Sequence, residues 1–265
     1  MFVNRSTSLN HFIALVSLLG NYPVDHHHTR YHGYEELPNL YFHPVPSYGL
    51  PLGTLIPKDV EGLIVAEKSI SVSNIINGTT RLQPMVMQIG QAAGALAALA
   101  VKENKNISEV SVREVQNAIL DAKGYLLPYL DVAMDHPMFK SLQRVGSTGI
   151  LKGIGKSVDW ANQTWFRADT LLLANELEGL RDVYPFVDKQ VFEGNNTISI
   201  QKAVEMIERI AEKESIELKK GRVEEIWNEF GLKDLNMNRN ILRSEMAILI
   251  DQILDPFNNK KIRYY

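Results

Sequence analysis

GLIVAEKSISVSNIINGTTRLQPMVMQIGQAAGALAALAV, residues 62–101, is the stretch that decides the fold of this chain. Residues 63–66 form a short apolar run after Asp59 and Gly62, which is typical of a buried parallel strand. A Gly-Thr-Thr-Arg turn over residues 78–81 follows. A helix is then predicted from about Pro84 to Lys102, because alanine favours helix and proline is tolerated in the first turn.

The predicted helix is unusually poor in bulky side chains. Gly90 and Gly94 lie four residues apart, and alanines continue the same surface, so another chain element or a flat ligand can approach closely. Its N-terminus carries backbone N–H groups and the positive end of the helix dipole, which suit an anion. From spacing alone, a tightly packed buried helix in an α/β domain is the simpler interpretation.

Composition describes an ordinary globular protein. Of 265 residues, 45% are hydrophobic and 22% charged, which leaves room for one large domain or two modest ones. The net charge of −3 indicates no nucleic-acid partner. The absence of cysteine excludes disulfides and thiolate chemistry, but it does not decide between a cytoplasmic and an exported location.

The N-terminal region mixes an apolar run with a proline-rich one. Residues 8–20 are predicted to form an apolar helix ended by Gly20 and Asn21. Arg5 ahead of residues 12–19 also loosely resembles a signal-peptide core, a less favoured interpretation. Residues 21–58 carry many prolines, which favour extended edge strands and turns. We expect no membrane span, because no apolar run reaches the necessary length.

The sequence predicts an α+β fold that is mostly helical. Residues 1–103 are predicted to be a partial α/β region and residues 104–136 a connecting helix and linker, with Ser108 and Ser111 as possible caps. Residues 137–265 show helical periods throughout and are predicted to form an all-α module. Within that module, a helix–loop–helix pattern occurs in two degenerate copies, which would bury their faces against each other.

A family resemblance gives the segment 62–101 a function. Its strand, loop, arginine, Gln-Pro and Gly-Gln-Ala-Ala-Gly order resembles the C-terminal flavin motif of bacterial FAD-dependent oxidoreductases with the glutathione-reductase-like fold. Residues 21–28, NYPVDHHH, resemble the Tyr-Pro-x-Asp-x-His segment of the same family. The match spans about residues 21–102 in the family's order.

The resemblance implies FAD as cofactor and hydride transfer from an organic or carbohydrate-like small molecule to the flavin. It implies that Arg81, Leu82 and Gln83 lie near the flavin ring and that Ala66 and Glu67 lie near the ribityl-diphosphate. The implied cofactor-binding residues are Ala66, Glu67, Arg81, Leu82, Gln83 and Gly90. The implied substrate-side residues, one of which would carry a proton, are Asp25, His26, His27 and His28.

Two departures from the family pattern bear on cofactor binding. The family has glycine where this chain has Glu67, and a carboxylate beside a diphosphate costs about a kcal/mol in a partly buried site. No G-x-G-x-x-G fingerprint, which holds the adenosine diphosphate, occurs in the 265 residues. The sequence therefore predicts the C-terminal half of such an enzyme, inactive alone, with its N-terminal nucleotide-binding half supplied in cis or in trans.

The histidine-rich segment raises a second question, metal binding. Asp25 and the histidines that follow offer carboxylate and imidazole ligands, but they show no defined ligand spacing. We therefore predict no dedicated metal site.

The C-terminal module supports a non-catalytic alternative. Gly149-Ile150-Leu151-x-Gly153 and the segment 243–247, RSEMA, loosely resemble surface-layer-homology helical units, which anchor proteins to cell-wall polymers. The alternative is a partner- or envelope-glycan-binding module. The aromatic loop of residues 160–166 could stack on a sugar, but a buried aromatic plug is favoured.

Overall fold

The computed structural model describes residues 15–20, 23–24, 48–158 and 161–260. These residues fall into two compact units. The N-terminal unit comprises the described residues up to 130 together with the segment 154–165, and the C-terminal unit comprises residues 131–153 and 166–260. Both are dominated by helices, and the sheets are two-stranded, which confirms the mostly helical α+β class.

The N-terminal unit begins with an antiparallel strand pair. Strand β1 (Leu15–Gly20) pairs with β2 (Tyr48–Pro51), with Leu15 opposite Pro51 and Gly20 opposite Tyr48. The helix predicted over residues 8–20 is therefore wrong where the structure describes it. Pairing with a distant segment overrides the local preference of this leucine-rich run.

The run 63–66 is not the buried parallel strand that the sequence predicts. It has no regular secondary structure, and Leu63 is 47% exposed. Among the described residues, its backbone bond to another segment runs from the Val65 N–H to the Leu55 carbonyl, 2.8 Å away. Both described sheets are antiparallel, so no described strand runs parallel to this run.

The predicted turn over residues 78–81 is mostly helix. Helix α1 (Asn74–Thr80) begins at Ser73, whose side chain accepts a hydrogen bond from the Ile76 N–H. Only Arg81 and Leu82 remain between α1 and α2 (Gln83–Glu103). The prediction for α2 is confirmed almost to the residue: Pro84 lies in its first turn, and Asn104 ends it in the left-handed conformation.

Helix α2 is the central helix of the N-terminal unit. It packs against β1 and against α3 (Val112–Asp121), which begins where the Glu114 carboxylate accepts from the Ser111 N–H. The buried face of α2 consists of Met85, Ile89, Ala92, Ala93, Leu96 and Ala100. The described 3₁₀ turns of this unit are Leu52–Leu55, Glu67–Ser69 and Ile107–Glu109.

Helix α2 is also long and apolar enough, by length and composition, to cross a membrane, although the sequence was expected to contain no such run. One such helix is weak evidence, because a core helix of a soluble protein passes the same test. The expectation of no membrane span stays a prediction.

A β-hairpin interrupts the region predicted to be all-α. Strands β3 (Ile154–Val158) and β4 (Ala161–Trp165) pair antiparallel, with Ile154 opposite Trp165. The hairpin belongs to the N-terminal unit, where the Leu130 N–H donates to the Thr164 carbonyl at 3.0 Å. The short polar strands show little of the β-branched alternation that marks a strand in sequence.

The C-terminal unit is built of helices joined by tight turns. Its described α-helices are α4 (Phe139–Ser147), α5 (Leu180–Val183), α6 (Ile200–Lys213), α7 (Arg222–Glu229), α8 (Arg243–Leu249) and α9 (Pro256–Asn259). A π-helical turn, Ile250–Leu254, continues α8, and 3₁₀ turns cover Ala174–Leu177 and Lys189–Phe192. Helix α4 packs against α8, the π turn and α9.

Three extended segments close a ring of backbone hydrogen bonds in the C-terminal unit. The Leu172 N–H donates to the Ile241 carbonyl (3.0 Å), Ile241 to Ile198 (2.8 Å), and Ile198 back to Leu172 (3.3 Å). Each of the three segments leads directly into a helical element.

Three further backbone hydrogen bonds link the same three segments, through groups that lie two residues away from those of the ring. The amides of Ala174, Ile200 and Arg243 donate to the carbonyls of Asn196, Arg239 and Thr170, at 2.9, 2.9 and 3.0 Å. The segment 196–199 is therefore equivalent to the two segments that precede residues 174 and 243. The sequence echo relates only those two, so the structure adds a third member.

Two ion pairs of the C-terminal unit each have one almost completely buried partner. Arg243, whose side chain is 2% exposed, pairs with Glu176 at 2.5 Å. Asp251 in the π turn, 1% exposed, accepts from Ser141 at 2.8 Å and lies 3.1 Å from the Nε of Arg144. Burial raises the pKa of Asp251, and the positive charge of Arg144 opposes that rise.

Candidate functional site

Arg81 and Leu82, between α1 and α2, and Gln83, the first residue of α2, form the turn that the resemblance assigns to the flavin, called here the flavin turn. Arg81 ends α1, and its N–H donates to the Asn77 carbonyl at 3.2 Å. Leu82 is extended (φ −74°, ψ 148°) and begins α2 without a side-chain cap. Arg81 and Leu82 are partly exposed and Gln83 is exposed, so the structure brings these three sequence-predicted residues together on an accessible turn.

The start of α2 has the electrostatic character of an acceptor site for negative charge. Because no side chain caps it and Pro84 carries no N–H, the Gln83 and Met85 amides mark the positive end of the helix dipole. Helix α2 spans 21 residues, and none of its first-turn residues is acidic. Negative charge that develops on a group placed beyond Leu82 is therefore stabilised.

A hydrogen bond between two hydroxyl groups, which no sequence motif connects, lies next to the turn. The Tyr48 hydroxyl is hydrogen-bonded to the Thr79 hydroxyl in the last turn of α1. Thr79 is 0% exposed. The contact joins residues 31 apart in the chain, which is why no local pattern marks it.

One face of α2 is open. Gly90 and Gly94 are exposed, and a Cβ atom built on either would have no heavy atom within 4 Å. Met87 and Val101, on the same side of the helix, are 75% and 83% exposed. The close approach predicted from the small residues is thus not made within the described residues, and the face stays available to another chain element.

Ala66 and Glu67 form the other end of the predicted cofactor site. Ala66 is extended and partly exposed. Glu67 has φ +60°, a left-handed conformation that favours glycine, and its side chain is 63% exposed beside Lys68. The glycine that the resembling family carries here thus has a conformational reason, and Glu67 adds both strain and negative charge.

The proton-carrying candidates Asp25, His26, His27 and His28 lie outside the described residues. Their roles stay predictions. The described residues contain no group of three His, Cys, Asp or Glu side chains placed to hold a metal ion. This finding does not reach the histidine segment, so the metal question stays open there.

Two cavities of the described residues lie away from the flavin turn. A cavity of 770 Å³ in the N-terminal unit is lined by residues 56–63 and 106–108, and no candidate cofactor residue lines it. In the C-terminal unit, a groove of 510 Å³ runs along α6 from Ala174 and Lys202 to Phe186 and Met206. Of the aromatic loop, Phe166 is buried as predicted, whereas Trp165 is 37% exposed.

The groove along α6 lies at a junction whose backbone hydrogen bonds match those between the segments of Leu172 and Ile241. The side chains at this junction differ from the Arg243–Glu176 pair. The Arg243 side chain reaches Glu176, which lies four residues after Leu172. At the equivalent junction Ala174 replaces the arginine and Lys202 replaces the glutamate. Within the described part of the chain the Lys202 amine has no ion pair. Sequence reasoning missed this lysine, because only the ring reveals which positions are equivalent.

Comparison with known families bears on the N-terminal unit. Residues 12–119 match the family model described as FAD dependent oxidoreductase. The match includes the flavin turn, all of α2, the segment 25–28 and most of α3. Residues 12–119 are thus similar to FAD-dependent oxidoreductases, a family whose cofactor is FAD. Neither the curated proteins nor the solved structures include a match.

Proposed function

We propose that residues 12–119 form the flavin-facing part of an oxidoreductase that transfers a hydride from a small organic or carbohydrate-like substrate to FAD. The observation that carries the proposal is the uncapped start of α2 directly behind Arg81, Leu82 and Gln83, inside the matched region. Bound flavin supplies the electron-accepting N5 position. The Leu82 and Gln83 amides at the start of α2 would favour the negative charge that its pyrimidine edge gains on reduction.

The substrate side is assigned to the segment 25–28. A histidine among His26, His27 and His28 would take the substrate's proton, and Asp25 would orient that imidazole. The sequence does not distinguish the three histidines as proton carriers. Replacing each one singly identifies the one that is required.

The two ends of the site differ in how well they fit FAD. The ring end fits, because the turn is accessible, free of acidic residues in the first turn of α2, and backed by a helix dipole. The diphosphate end does not fit, because Glu67 places a carboxylate there and residues 63–66 lie outside any sheet. We therefore propose that a nucleotide-binding half, in the same or another polypeptide, supplies the diphosphate site.

The open face of α2 is the surface that we assign to this half. Helical glycines four residues apart allow another backbone to approach closely, and exposed Met87 and Val101 extend the apolar contact. Replacing Gly94 by leucine should leave the fold of the chain intact, because its side chain would point into open space. The same substitution should block association with the nucleotide-binding half.

Riboflavin and FAD together test the proposal, because riboflavin lacks the diphosphate. We expect the wild-type chain to bind riboflavin weakly and FAD no more tightly. Glu67→Gly should tighten FAD binding about five-fold, since it removes about one kcal/mol of repulsion, and should leave riboflavin binding unchanged. Fluorescence quenching of each flavin gives both dissociation constants.

Asp59→Gly is the matched control. Asp59 is also acidic, exposed and left-handed (φ +61°). Asp59→Gly should relieve similar strain and remove the same charge without changing FAD affinity. Equal effects of the two substitutions, or no saturable binding of either flavin to any of the three proteins, would contradict the proposal.

The groove along α6 favours a second candidate function, binding of an envelope glycan or partner protein by the C-terminal unit. Lys202 lies at one end of the groove and apolar Phe186 lies in its wall. Lys202→Glu should then abolish retention of the full chain on isolated cell envelopes. Lys219→Glu, outside the groove, is the control, and equal retention of both variants would rule this function out.

A further inference from the structure

The hydrogen bond between Tyr48 and Thr79 ties strand β2 to the last turn of α1. Thr79 is completely buried, whereas Tyr48 is partly exposed. The bond bridges 31 residues of chain and ends two residues before Arg81. It is therefore placed to determine how α1 delivers the chain into the flavin turn.

The direction of this hydrogen bond follows from the neighbouring donors. The Thr79 hydroxyl donates to the Ile76 carbonyl at 2.9 Å, and the Thr80 hydroxyl donates to the same carbonyl at 3.0 Å. With its hydrogen committed, the Thr79 oxygen has only lone pairs to offer, so the Tyr48 hydroxyl is the donor. Burial raises the pKa of Tyr48, and the phenol therefore keeps its hydrogen at neutral pH.

The flavin turn lies between the last turn of α1 and the start of α2. Helix α2 starts after Leu82 without a side-chain cap. The Arg81 N–H donates a hydrogen bond to the Asn77 carbonyl at the end of α1. The orientation of the first α2 amides therefore depends on how firmly the last turn of α1 is fixed. Tyr48 fixes that turn from outside the helix.

We propose that Tyr48 is a positioning residue, which through Thr79 holds the end of α1 and so aims the Leu82 and Gln83 amides at the flavin ring. This inference rests on the proposed function for the identity of the ligand. The positioning itself is a property of the chain without ligand, and it is measurable separately.

Three substitutions separate the hydrogen bond from packing. Tyr48→Phe removes the donor, Thr79→Val removes the acceptor with nearly the same volume, and Thr79→Ser keeps the acceptor. Tyr48→Phe and Thr79→Val should behave alike, and Thr79→Ser should behave as wild type, because only the hydroxyl is required.

Amide hydrogen exchange, followed by NMR, tests the positioning without any ligand. The Arg81 and Val86 amides donate to Asn77 and Leu82, at 3.2 and 2.9 Å, and so report on the two sides of the turn. The Val115 amide, which donates to Ser111 at 3.2 Å, reports on α3. Tyr48→Phe should accelerate exchange at Arg81 and Val86 about two- to ten-fold, and leave Val115 unchanged. Equal acceleration at all three amides, or none, would overturn the inference.

Riboflavin binding by the same proteins then connects positioning to the ligand. Tyr48→Phe and Thr79→Val should weaken binding about two- to ten-fold, with Thr79→Ser at the wild-type value. Undiminished binding by Tyr48→Phe would overturn the inference and leave the proposed function standing. No binding by the wild-type chain would defeat the proposed function instead, and the exchange experiment would still decide whether Tyr48 positions the turn.

Discussion

Arg243 and Glu176 form an ion pair of 2.5 Å across 67 residues of chain, with the guanidinium almost completely buried. The Arg243 side chain also donates to the carbonyls of Phe166 (2.8 Å) and Lys152 (2.9 Å) and lies over the Phe166 ring. One side chain thus holds three separate segments of the C-terminal unit. Its charge is compensated and its donors are used, which is the condition for a buried charge to be tolerated.

Removing Arg243 should destabilise the protein strongly. Arg243→Ala leaves the Glu176 carboxylate and two carbonyls without their donor, at a cost of about 2–4 kcal/mol, since Glu176 is partly exposed. Urea unfolding measures the loss. Arg222→Ala is the control, because its partners Glu225 and Glu229 are about 60% exposed, and it should cost less than about 1 kcal/mol. Similar losses in the two variants would refute a structural role for the buried pair.

Asp251 should contribute more to the stability of the protein as the pH falls. Its pKa is raised in the folded protein, chiefly by burial. The folded state therefore binds a proton at Asp251 more tightly than the unfolded state does. The contribution of this residue to the free energy of unfolding should increase as the pH falls through the raised pKa, until the unfolded carboxyl is also protonated near pH 4.

Asp251→Asn isolates this contribution, because the other carboxylates titrate in both proteins. The free energy of unfolding of wild type minus that of Asp251→Asn, from urea titrations between pH 7 and pH 4, should grow with acidification. A difference that shrinks would show that pairing with Arg144 outweighs burial, and that the pKa of Asp251 is lowered instead.

Gly179 should tolerate no side chain. A Cβ atom at this position would lie 2.2 Å from the Gly149 carbonyl oxygen and 2.7 Å from that of Ile150, and backbone atoms cannot rotate away. Gly179→Ala should cost about 3 kcal/mol in urea unfolding. Gly155→Ala, with no atom within 4 Å, should change stability by less than about 1 kcal/mol. A mild effect at Gly179 would mean that the segments at 149 and 179 separate easily.

The hydrogen-bonded ring should be sensitive to proline at Ile198. Proline removes the N–H that donates to Leu172 and opens the ring, so Ile198→Pro should cost about 3 kcal/mol. Thr197→Pro is the neighbouring control, because the Thr197 amide is not one of the six that form the two sets of bonds. Circular dichroism during thermal unfolding compares the two. Equal melting temperatures would show that the ring contributes little.

The elements that the sequence predicts correctly are those whose causes are local. Helix α2 follows from its alanines, from Pro84 in the first turn, and from a polar stop at Asn104. Residues 15–20 were misassigned because their structure depends on pairing with residues 48–51, which no local pattern contains. Residues 63–66 have the composition of a buried strand, but composition does not supply the neighbouring strand that would bury them.

In the candidate site, too, the sequence predicts features with local causes and misses those that depend on distant contacts. Arg81, Leu82 and Gln83 lie at the start of α2, which Pro84 marks in the sequence, and their role toward a flavin stays a prediction. Tyr48 was not found, because its only signal is a contact with Thr79 across 31 residues. Lys202 became visible only through the equivalence of positions in the ring.

The ring of Leu172, Ile198 and Ile241 also fixes an order of events during synthesis. Leu172 and Ile198 leave the ribosome well before Ile241, and until then the Leu172 N–H lacks its acceptor. The first two segments can meet early, but closure waits for the last. A nascent chain stalled ahead of residue 241 would therefore expose the apolar residues Leu172 and Ile198. Chaperones would be able to bind these residues.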